Sequence, residues 1–140
     1  MEAIIFVGIQ GAGKTTYYQQ HFFHTHVRIS LDMLKTRHRE RLLLAACLAG
    51  QQPFVIDNTN PLIAERAVYI EAARSAGFRT VCCYFPVEAR IALGRNAKRT
   101  DKKPIPVPGV LGTRKKMQPP APEEGFDEIR VIEIETSSPR

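Results

Sequence analysis

Short, nearly continuous apolar runs alternate along this chain with longer segments in which apolar and polar positions mix at helical spacing. A strand that is apolar at almost every position is typical of a parallel sheet with both faces covered by helices. The runs predict four such strands, at Ala3–Val7, Val27–Ser30, Pro53–Asp57 and Thr80–Phe85. The segments between them predict helices from about Gly13 to Phe22 or Phe23, from Asp32 through Leu44 to Gly50, and from about Leu62 to Ala76.

After the fourth strand the pattern is less regular. The pattern predicts a further helix that begins at Pro86, and after a Pro-containing stretch at 100–108 it predicts a short helix at about Val110–Met117. Glu128–Ile134 alternates polar and apolar residues, which predicts a fifth strand at a sheet edge with one face in water. We expect an α/β domain over residues 1–135 and a disordered tail at 136–140.

Composition limits the number of domains, the kind of partner and the cellular location that we expect. The 140 residues suffice for about one domain, and 20 Lys and Arg against 14 Asp and Glu give a net charge of +6. The basic excess lies between Arg90 and Lys116, which suits a polyanionic partner but also an ordinary soluble surface. Three cysteines without paired spacing argue against disulfides and a zinc site. No apolar run is long enough to span a membrane, so we expect a soluble, cytoplasmic protein.

One glycine-rich stretch carries the strongest chemical signal. Residues 8–15, Gly-Ile-Gln-Gly-Ala-Gly-Lys-Thr, fit G-x-x-x-x-G-K-[ST] between the first strand and the first helix. Such a turn directs backbone N–H groups and the positive end of a helix dipole at one place, which suits a nucleoside triphosphate. Lys14 can reach the outer phosphates and Thr15 can bind Mg²⁺; further phosphate contacts are assigned to Gly11, Ala12, Gly13 and Thr16. The alternative is a glycine-rich turn that binds nothing.

Two aspartates follow predicted strands at the sheet edge where the glycine-rich stretch lies. Asp32 follows the second strand and could be the general base for the group that attacks the γ-phosphate, or it could only cap the next helix. Asp57 ends the third strand and resembles a Walker B aspartate, which holds Mg²⁺ or its waters. Thr59 or Asn60, before Pro61, could cap the following helix.

Three basic residues complete the candidate site. Lys35 lies one turn after Asp32 and is assigned to the substrate, whereas the basic residues that follow it fit a solvated helix face. Arg95 and Arg99 share one helix face just before the Pro-containing stretch. They predict a helical lid at about 95–117 that covers the transferring phosphate when the site closes. An exposed basic helix end, favoured by the helix dipole, explains the same spacing equally well.

The sequence resembles the kinase domain of the polynucleotide 5′-kinases of phage and of animal DNA-repair enzymes. The stretches that carry the resemblance are Gly8–Thr16, Ile29–Lys35, Asp57–Pro61 with Arg66, Arg95–Arg99 running into Ile105-Pro106, and Glu124-Gly125-Phe126. They span nearly the whole chain in the family's order. The first is shared with many NTPases, whereas Asp-Asn-Thr-Asn-Pro and the paired arginines before a Pro-containing lid are narrower signals.

The resemblance implies a three-layer P-loop kinase domain with a five-stranded, mainly parallel sheet and a helical lid. The phosphate-loop strand would be in the middle, with the Asp57 strand beside it. The implied reaction moves the γ-phosphate of ATP, with Mg²⁺, to the 5′-hydroxyl end of DNA or RNA. Lys14 and Thr15 would hold the triphosphate and Mg²⁺, and Asp32 would take the hydroxyl proton. Asp57 would support the metal, and Arg99 would clamp the donor phosphates with Arg95 nearby.

Two departures from the family concern the acceptor. Leu31 stands where family members often have Arg. Lys35 stands where the phage enzyme has an Arg that helps hold the acceptor's phosphate, and Lys cannot reproduce a bidentate grip. The Asp-x-Asp-x-Thr pattern of the phosphatase partner domain is absent, so we expect kinase activity without phosphatase activity. A small-molecule kinase of the same fold and a non-catalytic nucleotide-binding switch module are the alternatives.

Overall fold

The computed structural model describes residues 1–86 and 107–133. Its strands are β1 (Glu2–Val7), β2 (Val27–Ile29), β3 (Phe54–Ile56), β4 (Arg79–Tyr84) and β5 (Glu128–Val131). Its helices are α1 (Lys14–His21), α2 (Leu31–Leu34), α3 (Arg37–Ala49), α4 (Ile63–Ser75) and α5 (Val107–Lys116), with a short 3-10 helix at Pro122–Glu124. The five strands form one sheet in the order β2-β3-β1-β4-β5, and every pairing is parallel. The predicted sheet, with the phosphate-loop strand in the middle and the Asp57 strand beside it, is confirmed.

Strand β1 is buried on both of its faces. Ala3, Ile5 and Val7 join a core cluster to which α3 and α4 contribute Cys47, Tyr69 and Ile70. Ile4 and Phe6 join a second cluster, completed by Tyr18 of α1, Phe22 just after it and Val110 of α5. Helices therefore cover both faces of the sheet, and this explains why the strand sequences are apolar at successive positions.

The helix predicted from Asp32 to Gly50 is wrong in one respect, because the chain forms two helices there. Lys35 ends α2 with φ of 74°, outside the helical region. Thr36 then caps α3, since its side-chain oxygen accepts a hydrogen bond from the Arg39 N–H at 3.1 Å. Asp32 thus lies on a short helix of its own, separate from the long basic helix behind it.

The prediction that Thr59 or Asn60 caps the helix after β3 is also wrong. Leu62 is the N-cap of α4, and the Glu65 carboxylate accepts from the Leu62 N–H at 3.1 Å. The Asn60 side chain is buried and donates instead to the Phe6 carbonyl oxygen at 2.8 Å. Asn60 therefore ties the segment after β3 to the central strand.

Part of the predicted lid can be placed. α5 lies within it and packs on the sheet through the fully buried Val110. Arg95 and Arg99 lie outside the described residues, as does the predicted tail at 136–140. No helix among residues 1–86 and 107–133 is long and apolar enough to cross a membrane.

Candidate functional site

The glycine-rich stretch closes around the side chain of Lys14. Gly11 and Gly13 have φ of 80° and 94°, values that favour glycine. The Lys14 ammonium donates to the carbonyl oxygens of Gly8 and Ile9 at 2.8 and 2.9 Å. α1 begins at Lys14, and Gly13 before it has no side chain that could cap the first N–H groups. A phosphate in this loop would meet amide donors and an ammonium group.

Three side chains meet where the loop runs into α1. The Thr15 hydroxyl donates to Asp57 Oδ2 at 3.1 Å. Arg28 Nε donates to the same carboxylate oxygen at 2.8 Å, and Arg28 Nη2 donates to Thr15 Oγ1 at 3.3 Å. The Asp57 side chain is 2% exposed, whereas that of Arg28 is 21% exposed. A buried carboxylate thus links the phosphate loop, β2 and the segment after β3.

Thr15 and Asp57 fit a magnesium ion. Mg²⁺ prefers hard oxygen ligands and is usually held by one or two carboxylates together with substrate phosphates. The hydroxyl and the carboxylate supply such oxygens 3.1 Å apart, at the mouth of the phosphate loop. The fit has one complication, because the Arg28 guanidinium uses the same carboxylate oxygen.

A chain of hydrogen bonds leads from the core to the helix that carries Asp32. The Leu31 N–H donates to Asn58 Oδ1 at 2.9 Å, and Asn58 Nδ2 donates to Glu40 Oε2 at 2.9 Å. Glu40 is buried and accepts from the Tyr69 hydroxyl and from Arg37, each at 2.9 Å. Burial, and then the Glu40 carboxylate, raises the pKa of Tyr69 to about 12, so the phenol remains a donor. The network fixes the start of α2 beside Asp57.

A second buried network holds the segment from Asp57 to Pro61 in place. Arg66 is fully buried and donates to both carboxylate oxygens of Glu124, at 2.8 and 2.9 Å. It also donates to the Asn60 carbonyl oxygen at 2.9 Å. Two segments of the resemblance therefore contact each other directly, in a supporting position behind the site.

On the other side of the phosphate loop lies a cavity of about 580 Å³. Its lining comes from the loop, the end of β4, the residues behind β5, and the end of α5 with the residues after it: Gly8, Ile9, Tyr84, Phe85, Pro86, Arg114, Met117, Pro119 and Glu133. Gln10 joins the loop to α5 through a 3.0 Å bond to the Thr113 hydroxyl. The volume lies in the range of small-molecule sites.

The structure brings some predicted residues together and sets others apart. Lys14, Thr15 and Asp57 surround the mouth of the loop. Asp32 and Lys35 are exposed at the end of β2, which β3 separates from β1. β2 therefore lies two strand spacings, about 10 Å, from β1. Ala12 is buried in the loop and Thr16 is exposed on α1.

Sequence reasoning missed Arg28 and Glu40. Arg28 is the one charged residue in an otherwise apolar strand that ends at the same sheet edge as the phosphate loop. A charge in such a strand is a signal that could have found it. Glu40 stands among basic residues on a helix and resembles part of a solvated face, so the pattern conceals its burial. Asn58 belongs to the quoted motif, but its two partners are visible only in the fold.

The strand order and the glycine-rich loop define an α/β P-loop domain, and solved kinases share its fold. Residues 4–119 match the family described as an AAA domain, and the chain belongs to that family. It is 26% identical over 135 residues to the bifunctional polynucleotide phosphatase/kinase of Schizosaccharomyces pombe. The match covers 94% of this chain and 33% of that protein, so the chain spans about a third of its relative's length.

Solved structures share the fold at low sequence identity. Kti12 of Chaetomium thermophilum, in complex with ADP-AlF3, has a TM-score of 0.72 at 17% identity, over 97% of this chain and 91% of that one. A gluconokinase from Sinorhizobium meliloti 1021 has a TM-score of 0.66 at 17% identity, over 99% and 84% of the two chains. The APS kinase CysC of Mycobacterium tuberculosis, in complex with AMPPNP and APS, has a TM-score of 0.59 at 15% identity, over 93% and 87%.

Proposed function

We propose that this chain is an ATP-dependent polynucleotide 5′-hydroxyl kinase. One observation carries the proposal: hydrogen bonds join the phosphate loop, the Asp57 segment and the Asp32 helix. Thr15 bonds to Asp57, and the next residue, Asn58, bonds to the Leu31 amide beside Asp32. The Schizosaccharomyces pombe relative adds support, since its name includes polynucleotide kinase.

The phosphate loop would hold the donor nucleotide. Phosphate oxygens would replace the Gly8 and Ile9 carbonyls as partners of the Lys14 ammonium, and the loop amides would bind the same phosphates. The Kti12 and CysC structures bind ADP-AlF3 and AMPPNP, which supports a nucleotide here. Mg²⁺ held by Thr15 and Asp57 would neutralise phosphate charge. The cavity beside β4 would take the nucleoside.

Asp32 would act on the acceptor. The 5′-hydroxyl oxygen forms a bond to the γ-phosphorus, and its proton passes to the Asp32 carboxylate. The bond between the γ-phosphorus and the β,γ-bridging oxygen breaks, and ADP leaves. Lys35 would contact the phosphate backbone of the acceptor. Arg95 and Arg99 are proposed to cover the transferring phosphate from the lid.

A substrate comparison tests the proposal. The protein is given ATP and Mg²⁺ with 5′-hydroxyl DNA and RNA oligonucleotides, and in parallel with a panel of sugars and nucleosides. We expect the γ-phosphate of labelled ATP to appear on the oligonucleotide. An oligonucleotide with a 3′-phosphate should keep that phosphate. Labelling of a small molecule alone would replace the proposal with a small-molecule kinase of the same fold. Leu31 and Lys35 bear on the choice of acceptor, because family members often have Arg at the first position and the phage enzyme has Arg at the second.

Replacing Asp32 with Asn tests the assigned base. We expect kcat to fall by about 10²- to 10⁴-fold, the usual contribution of a positioned base. The affinity for ADP, measured by calorimetry, should stay unchanged because the assigned base acts on the acceptor hydroxyl and not on the donor nucleotide. Glu71→Gln, which removes an exposed carboxylate on α4, is the matched control. Full turnover in Asp32→Asn would contradict the assignment, and ATP binding without turnover in the wild type would favour the switch module.

A further inference from the structure

Arg28 occupies the place between the two groups proposed to bind Mg²⁺. Its guanidinium lies 2.8 Å from Asp57 Oδ2 and 3.3 Å from Thr15 Oγ1, and Thr15 itself donates to the same Oδ2. All three groups are within hydrogen-bond distance of one another. Arg28 therefore takes part in the same cluster that the proposed function assigns to the metal.

The strand geometry explains how an arginine comes to lie there. Arg28 is opposite Val55 in the β2–β3 ladder, and Val55 belongs to the core cluster on the α1 face of the sheet. Successive strand residues face opposite sides, so Ile29 joins the other cluster while Arg28 lies on the face with α1. Thr15 is in the first turn of that helix. β2 thus presents its one cation to the start of α1.

The charges in this cluster depend on one another. Asp57 is almost fully buried, and a buried carboxylate without a counter-ion is strongly unfavourable. Arg28 supplies that counter-ion. A divalent cation at the same oxygen would stand next to a guanidinium, and two cations at such a distance repel even at an effective dielectric constant of about 20.

We propose that Arg28 is a built-in counter-ion that competes with Mg²⁺ for Asp57 and so sets the metal requirement of nucleotide binding. Without metal, Arg28 keeps Asp57 and Thr15 in position and provides positive charge near the phosphate loop. When Mg²⁺ binds, the guanidinium must give up Asp57 Oδ2. Arg28 is a positioning residue in this role. The inference rests on the Mg²⁺ and nucleotide half of the proposed function and not on the identity of the acceptor.

The test measures ADP affinity by calorimetry as Mg²⁺ rises from zero, in EDTA, to saturation. In Arg28→Gln, which removes the charge, half-saturation with Mg²⁺ should need about tenfold less metal than in the wild type, since a charge-assisted hydrogen bond no longer competes. ADP affinity in EDTA should fall. Arg28→Lys keeps the positive charge but loses the planar guanidinium. Its Mg²⁺ requirement should lie between those of the wild type and Arg28→Gln. Arg79→Gln breaks an exposed arginine–carboxylate pair at the far end of β4 and should match the wild type.

A second measurement guards against a folding defect, because Arg28→Gln leaves the buried Asp57 without its partner. Thermal unfolding is followed with Mg²⁺ alone. Mg²⁺ should raise the Tm of Arg28→Gln more than that of the wild type, and the double variant Arg28→Gln/Asp57→Asn should lose this gain.

Two results would overturn the inference. One is an equal Mg²⁺ requirement in the wild type and Arg28→Gln. The other is loss of ADP binding by Arg28→Gln at every Mg²⁺ concentration, which would make Arg28 a phosphate ligand. A wild type that binds no ADP at all would contradict the proposed function, and the melts in Mg²⁺ alone would still decide the role of Arg28.

Discussion

The ammonium group of Lys14 lies buried within the phosphate loop. The residue is 9% exposed, and burying an ammonium group is costly unless it is hydrogen-bonded. The Gly8 and Ile9 carbonyl oxygens accept from it at 2.8 and 2.9 Å. Phosphate oxygens are charged and form stronger bonds with an ammonium than neutral carbonyls do. A phosphate in the loop should therefore displace these carbonyls.

Replacing Lys14 with Ala should weaken ADP binding by about 10- to 100-fold, the range expected for one charge-assisted hydrogen bond. Calorimetry in saturating Mg²⁺ measures the effect. Arg41→Ala removes an exposed cation from α3 and serves as the control for the change in net charge. Unchanged affinity in Lys14→Ala would mean that the Lys14 ammonium contacts no phosphate of ADP.

The residues that the sequence predicted belong to local patterns, whereas those it missed depend on contacts between distant parts of the chain. Lys14 and Thr15 belong to a local pattern, whose chemistry is set by neighbours along the chain. Arg28 acquires its role from Asp57, which is 29 positions away and reaches it only because β2 and β3 pair in parallel register. Charge and burial at such a position follow from tertiary packing, and one sequence does not contain them.

At the scale of elements, α2 carries Asp32, the proposed base, but has little stability of its own. It has four residues, Leu31–Leu34, which is too short to be stable alone. Its first N–H, that of Leu31, donates to the Asn58 side chain, which in turn donates to Glu40 of α3. Tyr69 of α4 completes the chain. The segment after β3, α3 and α4 together therefore fix the position of α2, the helix that carries Asp32.

Asn58→Ala should lower kcat while ADP affinity is retained, because α2 loses its tie to the sheet edge. Stability should fall by about 1–3 kcal/mol, since the buried Glu40 loses a donor. Tyr69→Phe is the matched variant: it removes another donor to Glu40 but leaves the Leu31–Asn58 bond intact. Initial rates and urea unfolding separate the two effects. Equal losses of kcat in both variants would reduce the network to a structural role.

Sequence predicted the long elements well and the short ones less well. β1, α1 and α4 follow continuous apolar or helical patterns, which are local. The break between α2 and α3 contains no Gly or Pro, and Lys35 adopts its positive φ only in the folded chain. Thr36 caps α3 in the fold, although it stands inside a segment whose pattern predicts one continuous helix. Asn60 resembled a cap, but its burial next to Phe6 gave it another partner.

At the scale of the molecule, the strand order places the two halves of the proposed site on either side of the phosphate loop. β4 and β5 lie on one side of β1, where the end of β4 and Glu133 after β5 border the cavity. β3 and β2 lie on the other side and lead to Asp57 and Asp32. A central β1 with the Asp57 strand beside it was predictable. The cavity was not, because its lining comes from residues as distant as Gly8 and Glu133. A nucleotide in the loop would connect the two halves.

The integrity of this sheet can be followed through two buried cysteines of β4. Cys82 and Cys83 belong to the core clusters on opposite faces, and both are fully buried. Burial is the main cause that raises the pKa of each thiol from 9.0 to about 12. At pH 8 a thiol reagent should therefore react with them only after unfolding, since the thiolate is the reactive form.

The same shift makes stability depend on pH. Both thiols ionise at a lower pH in the unfolded chain than in the folded one. Their contribution to the free energy of unfolding is therefore complete below about pH 9 and is lost as the pH rises toward 12. Each thiol should lower the free energy of unfolding by about 1.4 kcal/mol per pH unit within that window. Urea unfolding from pH 8 to 10 measures the decline, and the double variant Cys82→Ala/Cys83→Ala subtracts the contributions of all other groups. A variant that declines as steeply as the wild type would show that these thiols already meet water in the folded sheet.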